Sequence, residues 1–243
     1  MVTGLCRATF GFVKTGMNLA ELNAVFLDHD GTLVDTEPYW IEAELLLPQR
    51  YGAVWTEADS LACVGSPMPV TAQRMQDAGV PMTVEQIIDN LCQQVVAMMD
   101  KRGIPWLPGV PELIDEIAAA NIPCAIVSNA WRSVVEKTMT AMPEGVIQFI
   151  LTGDEMLRPK PDPWPYAHAA EVLGVSPVGQ VALEDSLAGT LSAEAAGMHV
   201  LVVPGVVQVP DAPGRSRTAS LADVNLDTLR AIAAGEVLEL THS

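Results

Sequence analysis

The segment Asp28-His29-Asp30-Gly31-Thr32 puts two carboxylates two positions apart beside a glycine. Two acids so spaced can divide labour, one attacking or holding a metal ion while the other moves protons. The glycine lets backbone amides approach an anion closely. Taken alone, Asp and Gly also favour turns for local reasons, so the segment needs partners elsewhere in the chain. Ser128-Asn129 offers a hydroxyl, Arg158-Pro159-Lys160-Pro161 a lysine among prolines, and Glu184-Asp185-Ser186 a second acidic pair. Asp28 and Asp185 are hard oxygen ligands suited to Mg2+, which offsets repulsion between a carboxylate nucleophile and an anionic phosphate. A carboxylate attacking phosphorus gives an acyl phosphate that water later cleaves. Asp30 is near enough to protonate the leaving oxygen and then deprotonate that water. Ser128 can hydrogen-bond a phosphoryl oxygen, and Lys160 can neutralise developing charge.

These groups lie far apart in sequence, so secondary structure must gather them. Apolar runs at 24–27, 123–127, 146–151, 180–183 and 199–203 read as buried parallel strands, most of them followed closely by polar or glycine residues. Helical patterns at 111–117, 133–142, 165–173 and 187–196 alternate with them, and Gly174 and Gly197 stand where helix C-caps are expected. This predicts an α/β fold, a doubly wound and mostly parallel sheet with a Rossmann-like core. Ligands then bind beyond the carboxyl ends of the strands, where all four polar segments fall. One interval breaks the alternation. Between the first strand and Pro108-Gly109 only helical patterns appear, best at 38–51, 70–78 and 84–101, which predicts an inserted helical cap over 37–107. The core is expected at 20–36 and 108–236, with an N-terminal extension at 1–19. The segment 204–219 reads as a loop and 226–233 as a last short helix.

The arrangement resembles the haloacid dehalogenase superfamily, in its branch similar to β-phosphoglucomutase and phosphoglycolate phosphatase. The family's Asp-x-Asp-Gly-Thr stands as residues 28–32, its Ser or Thr after a strand as Ser128, its proline-flanked Lys as Lys160, and its acidic pair as Glu184-Asp185. All four occur in the family's order. The resemblance implies that Asp28 is nucleophile and metal ligand, and that Asp30 is acid and base with its backbone carbonyl on the metal. Gly31, Thr32, Ser128, Asn129 and Lys160 would hold the phosphoryl group. Asp185 would complete the protein ligands to Mg2+, and Glu184 would reach the metal through water. The insertion would be the family's cap, closing over the site and excluding water.

Three alternatives can be weighed on residues. In β-phosphoglucomutases an arginine shortly after the cap-loop glycine helps hold a second phosphate. Here Gly65 is followed by Ser66, Pro67 and Met68, and the next cation is Arg74, which favours hydrolysis over phosphomutase activity. The dehalogenase branch resembles the family without the second aspartate, and Asp30 is present. A non-catalytic metabolite-binding relative would be expected to have lost a motif residue, and none is lost. His29, between two carboxylates at a strand end, should point away from them and serve packing. Asp154 and Asp162 read as loop caps, the methionines at 68, 75, 98 and 99 as packing in the cap or at its seam with the core, and Trp131 and Arg132 as either substrate contacts or a helix start facing solvent.

With 243 residues, 49% hydrophobic and 18% charged, the chain suits one domain carrying an insertion. A formal net charge of -17 and a pI near 4.4 disfavour nucleic acid and anionic lipid as partners, and the resemblance implies a small phosphorylated metabolite instead. The four cysteines form no Cys-x-x-Cys pair, which suits buried free thiols in a reducing compartment. Residues 1–20 contain no uninterrupted apolar run, so neither a signal peptide nor a membrane span is expected there, and the location expected is cytoplasmic. No heptad pattern stands out, and a monomer is expected.

Overall fold

The computed structural model describes residues 21–64 and 66–240. The expected extension at 1–19, Cys6 and the cap-loop Gly65 lie outside the described residues. Among the described residues seven strands, β1 (Val25–Leu27), β2 (Cys124–Val127), β3 (Ile147–Leu151), β4 (Val181–Glu184), β5 (His199–Val202), β6 (Arg215–Thr218) and β7 (Glu239–Leu240), form one sheet. Its order is β3-β2-β1-β4-β5-β6-β7, and every neighbouring pair is parallel. β1, β2 and β4 are buried at every residue, which is why they read as unbroken apolar runs and not as alternating ones. The chain leaves β1 for β2 and β3 on one side and returns to β4 on the other. The loops beyond β1 and β4 therefore part, leaving a crevice where catalytic groups can sit.

Four helices follow β1 before the sheet resumes: α1 (Glu37–Gln49), α2 (Glu57–Leu61), α3 (Met68–Asp77) and α4 (Val84–Arg102). The others, α5 (Val110–Ala119), α6 (Arg132–Met139), α7 (Trp164–Val172), α8 (Leu187–Ala196) and α9 (Leu226–Ala233), connect or flank the strands. α5 buries Val110, Leu113, Ile114 and Ile117, the spacing that lays one helical stripe on the sheet. The predicted loop at 204–219 is corrected at its end, where β6 pairs with β5. Its sequence, Arg-Ser-Arg-Thr, carries no apolar signal. The strand can be buried because its arginines are paired: Arg215 Nε lies 2.6 Å from Glu194 Oε1, and Arg217 donates to the Val209 carbonyl at 2.7 Å. α2 was not expected either, although Thr56 and Asp59 form a capping box that begins it.

The cap helices close their own core around Trp40, Leu47, Met75, Ile87, Leu91, Val95, Met98 and Met99, with Met68 partly buried against it. Val134 of α6 completes this cluster, and Lys137 of α6 pairs with Asp100 of α4 at 2.5 Å. The two linkers run side by side, Asp35 donating to the Pro105 carbonyl and Leu107 to that of Leu33. Cys63, Cys92 and Cys124 are buried free thiols, as expected.

One cap residue is an acid buried to 7% exposure. Burial, aided by Glu37, pushes the Glu44 carboxyl from 4.5 to about 7, although Ser60 and Arg74 oppose this. The unfolded chain loses that proton near 4.5 and the folded chain near 7. Between those values the folded state holds the extra proton and loses stability as pH rises. A Glu44→Gln protein lacks this loss. Its stability advantage over the parent is expected to grow by about 3 kcal/mol between about pH 4.5 and about pH 8, read by denaturant melts.

Candidate active site

The crevice between β1 and β4 gathers the residues that the sequence left scattered. Asp28 continues β1 and its backbone N–H donates to the Leu183 carbonyl of β4 at 3.0 Å, which brings the loop after β1 beside Glu184-Asp185. Among the described residues, ligand oxygens of Asp28, Glu184 and Asp185 come within 4.8 Å of one another. Lys160, 7% exposed, sits among them, and its three ammonium protons are all placed. Nζ is 2.6 Å from Asp28 Oδ1, 2.5 Å from Glu184 Oε1 and 2.8 Å from the Val127 carbonyl.

One ammonium faces three carboxylates in a site largely closed to water. Burial, then the neighbouring acids Glu184 and Asp185, raise the Asp28 carboxyl well above its ordinary range despite Lys160. Burial and then Glu184 push Asp185 to about 7. Such a donor set is short of positive charge, which is the electrostatic condition a divalent cation relieves. The residues therefore fit Mg2+. Gly31 also fits this crowding: its φ is +83°, and a Cβ there would stand 2.2 Å from Asp185 Oδ2.

Asp30 behaves differently from Asp28. Its side chain is 38% exposed, accepts a hydrogen bond from Thr36 Oγ1, and has its Oδ1 3.2 Å from His29 Nδ1. Burial of the group works upward, but His29 and Thr36 hold the carboxyl below its ordinary value. The two carboxylates thus sit in different environments, Asp28 crowded by other acids and Asp30 held by a hydroxyl and an imidazole. His29 is fully buried and its Nε2 lies 2.8 Å from Thr138 Oγ1 on α6, but the expectation that it points away from both carboxylates is corrected, since its other ring nitrogen faces Asp30. Glu37, at the start of α1, is raised by burial and by Asp30 and Asp35, so the rim below the cap is acidic.

Ser128, at the end of β2, is 2% exposed and accepts from the Ala130 N–H at 3.0 Å. Asn129 beside it is exposed, and Thr32 is fully buried with an unpartnered hydroxyl. Asp154 and Asp162 accept from the backbone N–H groups of Arg132 and Trp164, as loop caps do. Arg132 is held by Glu155 and Glu136, and Trp131 packs against the cap cluster.

Two residues of the site carried no signal that sequence reading used. Tyr166, fully buried on α7, donates to Glu184 Oε1 at 2.5 Å. The Tyr six positions after Lys160, in the first turn of the next helix, is the clue that could have found it. Gly189 on α8 is the other, since a Cβ there would stand 1.8 Å from Glu184 Oε1. With Lys160, Tyr166 and Ser186 all bonded to it, Glu184 cannot simply turn aside. Gly189→Ala is expected to destabilise the fold by about 1–3 kcal/mol, the usual cost of overpacking, and to cut turnover in the folded fraction. Denaturant melts and turnover per folded molecule check both parts.

The comparison that decides the family is a match of its model, described as haloacid dehalogenase-like hydrolase, to residues 25–203. The chain belongs to that family. Within the haloacid dehalogenase-like hydrolases, Protein CbbY of Rhodobacter capsulatus is 31% identical over 231 residues, covering 90% of this chain and 99% of that protein. Hexitol phosphatase B of Escherichia coli K12 is 27% identical over 229 residues, covering 90% of this chain and 97% of the other. A crystal structure of mutant CbbY from Rhodobacter sphaeroides, in complex with xylulose-(1,5)bisphosphate, has a TM-score of 0.75. It is 27% identical, covering 86% of this chain and 99% of that one. The chain is thus an enzyme of the hydrolase type, with phosphatases among its relatives. Among the described residues no helix is long and apolar enough to cross a membrane.

Proposed function

We propose that this protein is a Mg2+-dependent phosphatase of small phosphorylated metabolites, of the sugar or polyol phosphate type, working through a phosphorylated Asp28. The observation that carries this reading is Lys160 Nζ at 2.6 Å from Asp28 Oδ1, inside a cluster whose other members are Glu184 and Asp185. Lys160 orients one carboxylate oxygen and leaves the other to attack phosphorus. When the phosphoryl group arrives, the ammonium bond to Asp28 Oδ1 is the one that can pass to a phosphoryl oxygen, because those to Val127 and Glu184 hold the side chain in place. Ser128, with the amides around Gly31 and Thr32 and the Asn129 side chain, binds the remaining oxygens. The charge of an arriving phosphate works against the ionised form of Asp30; protonated beside it, Asp30 gives that proton to the leaving oxygen, then takes one from the water that cleaves the acyl phosphate, which restores the acid.

Mg2+, held by Asp28, the Asp30 carbonyl and Asp185, would supply the positive charge that lets a carboxylate approach a phosphate. With its oxygens shared among Lys160, Tyr166 and Ser186, Glu184 would act on the metal from further out, through water. The sugar-phosphate class rests on the relatives: a hexitol phosphatase, and a CbbY structure that holds a sugar bisphosphate. Substrate choice would fall to the cap, residues 37–107, which faces the core at 20–36 and 108–236. Arg74 donates to the Ala62 carbonyl at 3.2 Å and contacts Cys63 Sγ at 2.9 Å, so its guanidinium is partly committed within the cap. That agrees with a monophosphate in preference to a bisphosphate substrate.

The test is phosphate release from a panel of hexose, pentose and polyol monophosphates, with and without Mg2+. Release from members of this panel that requires the metal is the expected outcome. Release that is indifferent to EDTA would overturn the metal's role, and transfer of phosphate to another hydroxyl without release would make the protein a mutase.

A further inference from the structure

Resting on the phosphatase reading, we infer that Tyr166 is a positioning residue for the reaction: through Glu184 its hydroxyl keeps the Lys160 ammonium seated against Asp28. The case starts from what a buried phenol needs. Tyr166 is fully buried in the apolar cluster beneath β1 and β2, with its ring edge-on to Phe26 at 6.5 Å between centroids. Phenylalanine would fill the same volume with no hydroxyl to desolvate, and an unpaired buried hydroxyl is costly. Among the described residues the hydroxyl has one acceptor, Glu184 Oε1, at 2.5 Å.

That oxygen is also the one that Lys160 Nζ touches at 2.5 Å, while Nζ lies 5.2 Å from the centre of the Tyr166 ring. Lys160 is thus shared between two carboxylates, Asp28 at 2.6 Å and Glu184 at 2.5 Å. Which of them holds it more tightly depends on how much each is satisfied by others. The other Glu184 oxygen has Ser186 Oγ at 3.1 Å. With Tyr166 donating, Oε1 is partly neutralised and the ammonium stays shared. Without that donor, Oε1 becomes the stronger acceptor and draws Lys160 from Asp28. The lysine and tyrosine come from adjoining stretches, Lys160 from the proline-rich loop and Tyr166 from the first turn of α7. Ser192 Oγ ties that loop to α8 through the Asp162 carbonyl at 2.6 Å. Desolvation and the charge of Glu184 raise the phenol well above its ordinary value, so it remains a donor across the working pH range.

The experiment is a double-mutant cycle of Tyr166→Phe and Glu184→Gln, measured as kcat and KM on the best substrate of the panel with Mg2+. Affinity for orthovanadate, an analogue of the transferring phosphoryl group, is measured in the same four proteins. Tyr166→Phe should lower kcat by about tenfold with KM changed less than about twofold, milder than deleting a donor that touches the oxyanion itself. Vanadate affinity should fall in parallel. In the Glu184→Gln background the same change should cost less than about twofold, since the residue through which Tyr166 acts is altered. A folded Tyr166→Phe protein with unchanged kcat and vanadate affinity would overturn the inference. Equal losses in both backgrounds would do so too, because a purely structural phenol does not need Glu184. Absence of phosphate release from every ester by the parent protein would instead refute the phosphatase reading, and the vanadate arm of the cycle would then decide the role of Tyr166.

Discussion

An Asp28→Asn protein is expected to release no phosphate above background from any ester of the panel, a loss of at least about ten-thousand-fold, as removing a catalytic nucleophile costs elsewhere. The amide has the same shape and its carbonyl oxygen can still accept the Lys160 proton now given to Asp28 Oδ1. What it lacks is charge and nucleophilicity. The same substitution should not destabilise the metal-free fold. Burial, Glu184 and Asp185 already make a charged Asp28 unfavourable, so a neutral amide relieves repulsion that only Lys160 opposes. The two measurements therefore separate: turnover collapses while the melting temperature in EDTA holds or rises. Added Mg2+ should raise the melting temperature of the parent and do so far less in the variant, since a ligand stabilises by its affinity for the folded state. Retained turnover would sink the covalent route through Asp28, whatever the melts show.

The second large effect is expected at Asp30. Asp30→Ala should slow both chemical steps by at least about a hundredfold, the usual scale for a general acid-base group, with KM nearly unchanged. Its side chain is more than a third exposed and its partners are Thr36 and His29, so the variant should fold. The two steps need not suffer equally. An aryl phosphate with a good leaving group does not require a proton from Asp30, whereas attack of water on phosphorylated Asp28 still needs the base. On such a substrate the phosphorylated protein should accumulate, visible by intact-protein mass spectrometry as the mass of one phosphoryl group. A variant that turns over the aryl ester as fast as the parent would remove Asp30 from the second step.

The central strands and most helices were legible in the sequence because their burial is simple. β1, β2 and β4 are covered on both faces, so their residues are apolar up to the Glu184 that ends β4, and α5 carries one stripe at helical spacing. β6 was not legible, because Arg215 is buried and Arg217 half-buried through pairing with Glu194 and the Val209 carbonyl, partners no local pattern announces. At the site, Asp28, Asp30, Ser128, Lys160 and Glu184-Asp185 could be named because strand ends in a doubly wound sheet are where ligands bind. Their spacing along the chain says only that they can meet.

The sequence by itself determined which chemical groups are available and that a parallel sheet would carry them to one edge. Only the tertiary structure decided how they divide among partners. It showed that Lys160 is shared by two carboxylates, that Tyr166 and Ser186 share Glu184, and that Asp30 turns toward Thr36 and His29. The reason is physical: strand and helix periods are set by neighbours a few residues away. Hydrogen bonds and charge balance in a buried cluster depend on atoms that folding brings together from more than a hundred positions apart, as with Lys160 and Asp28.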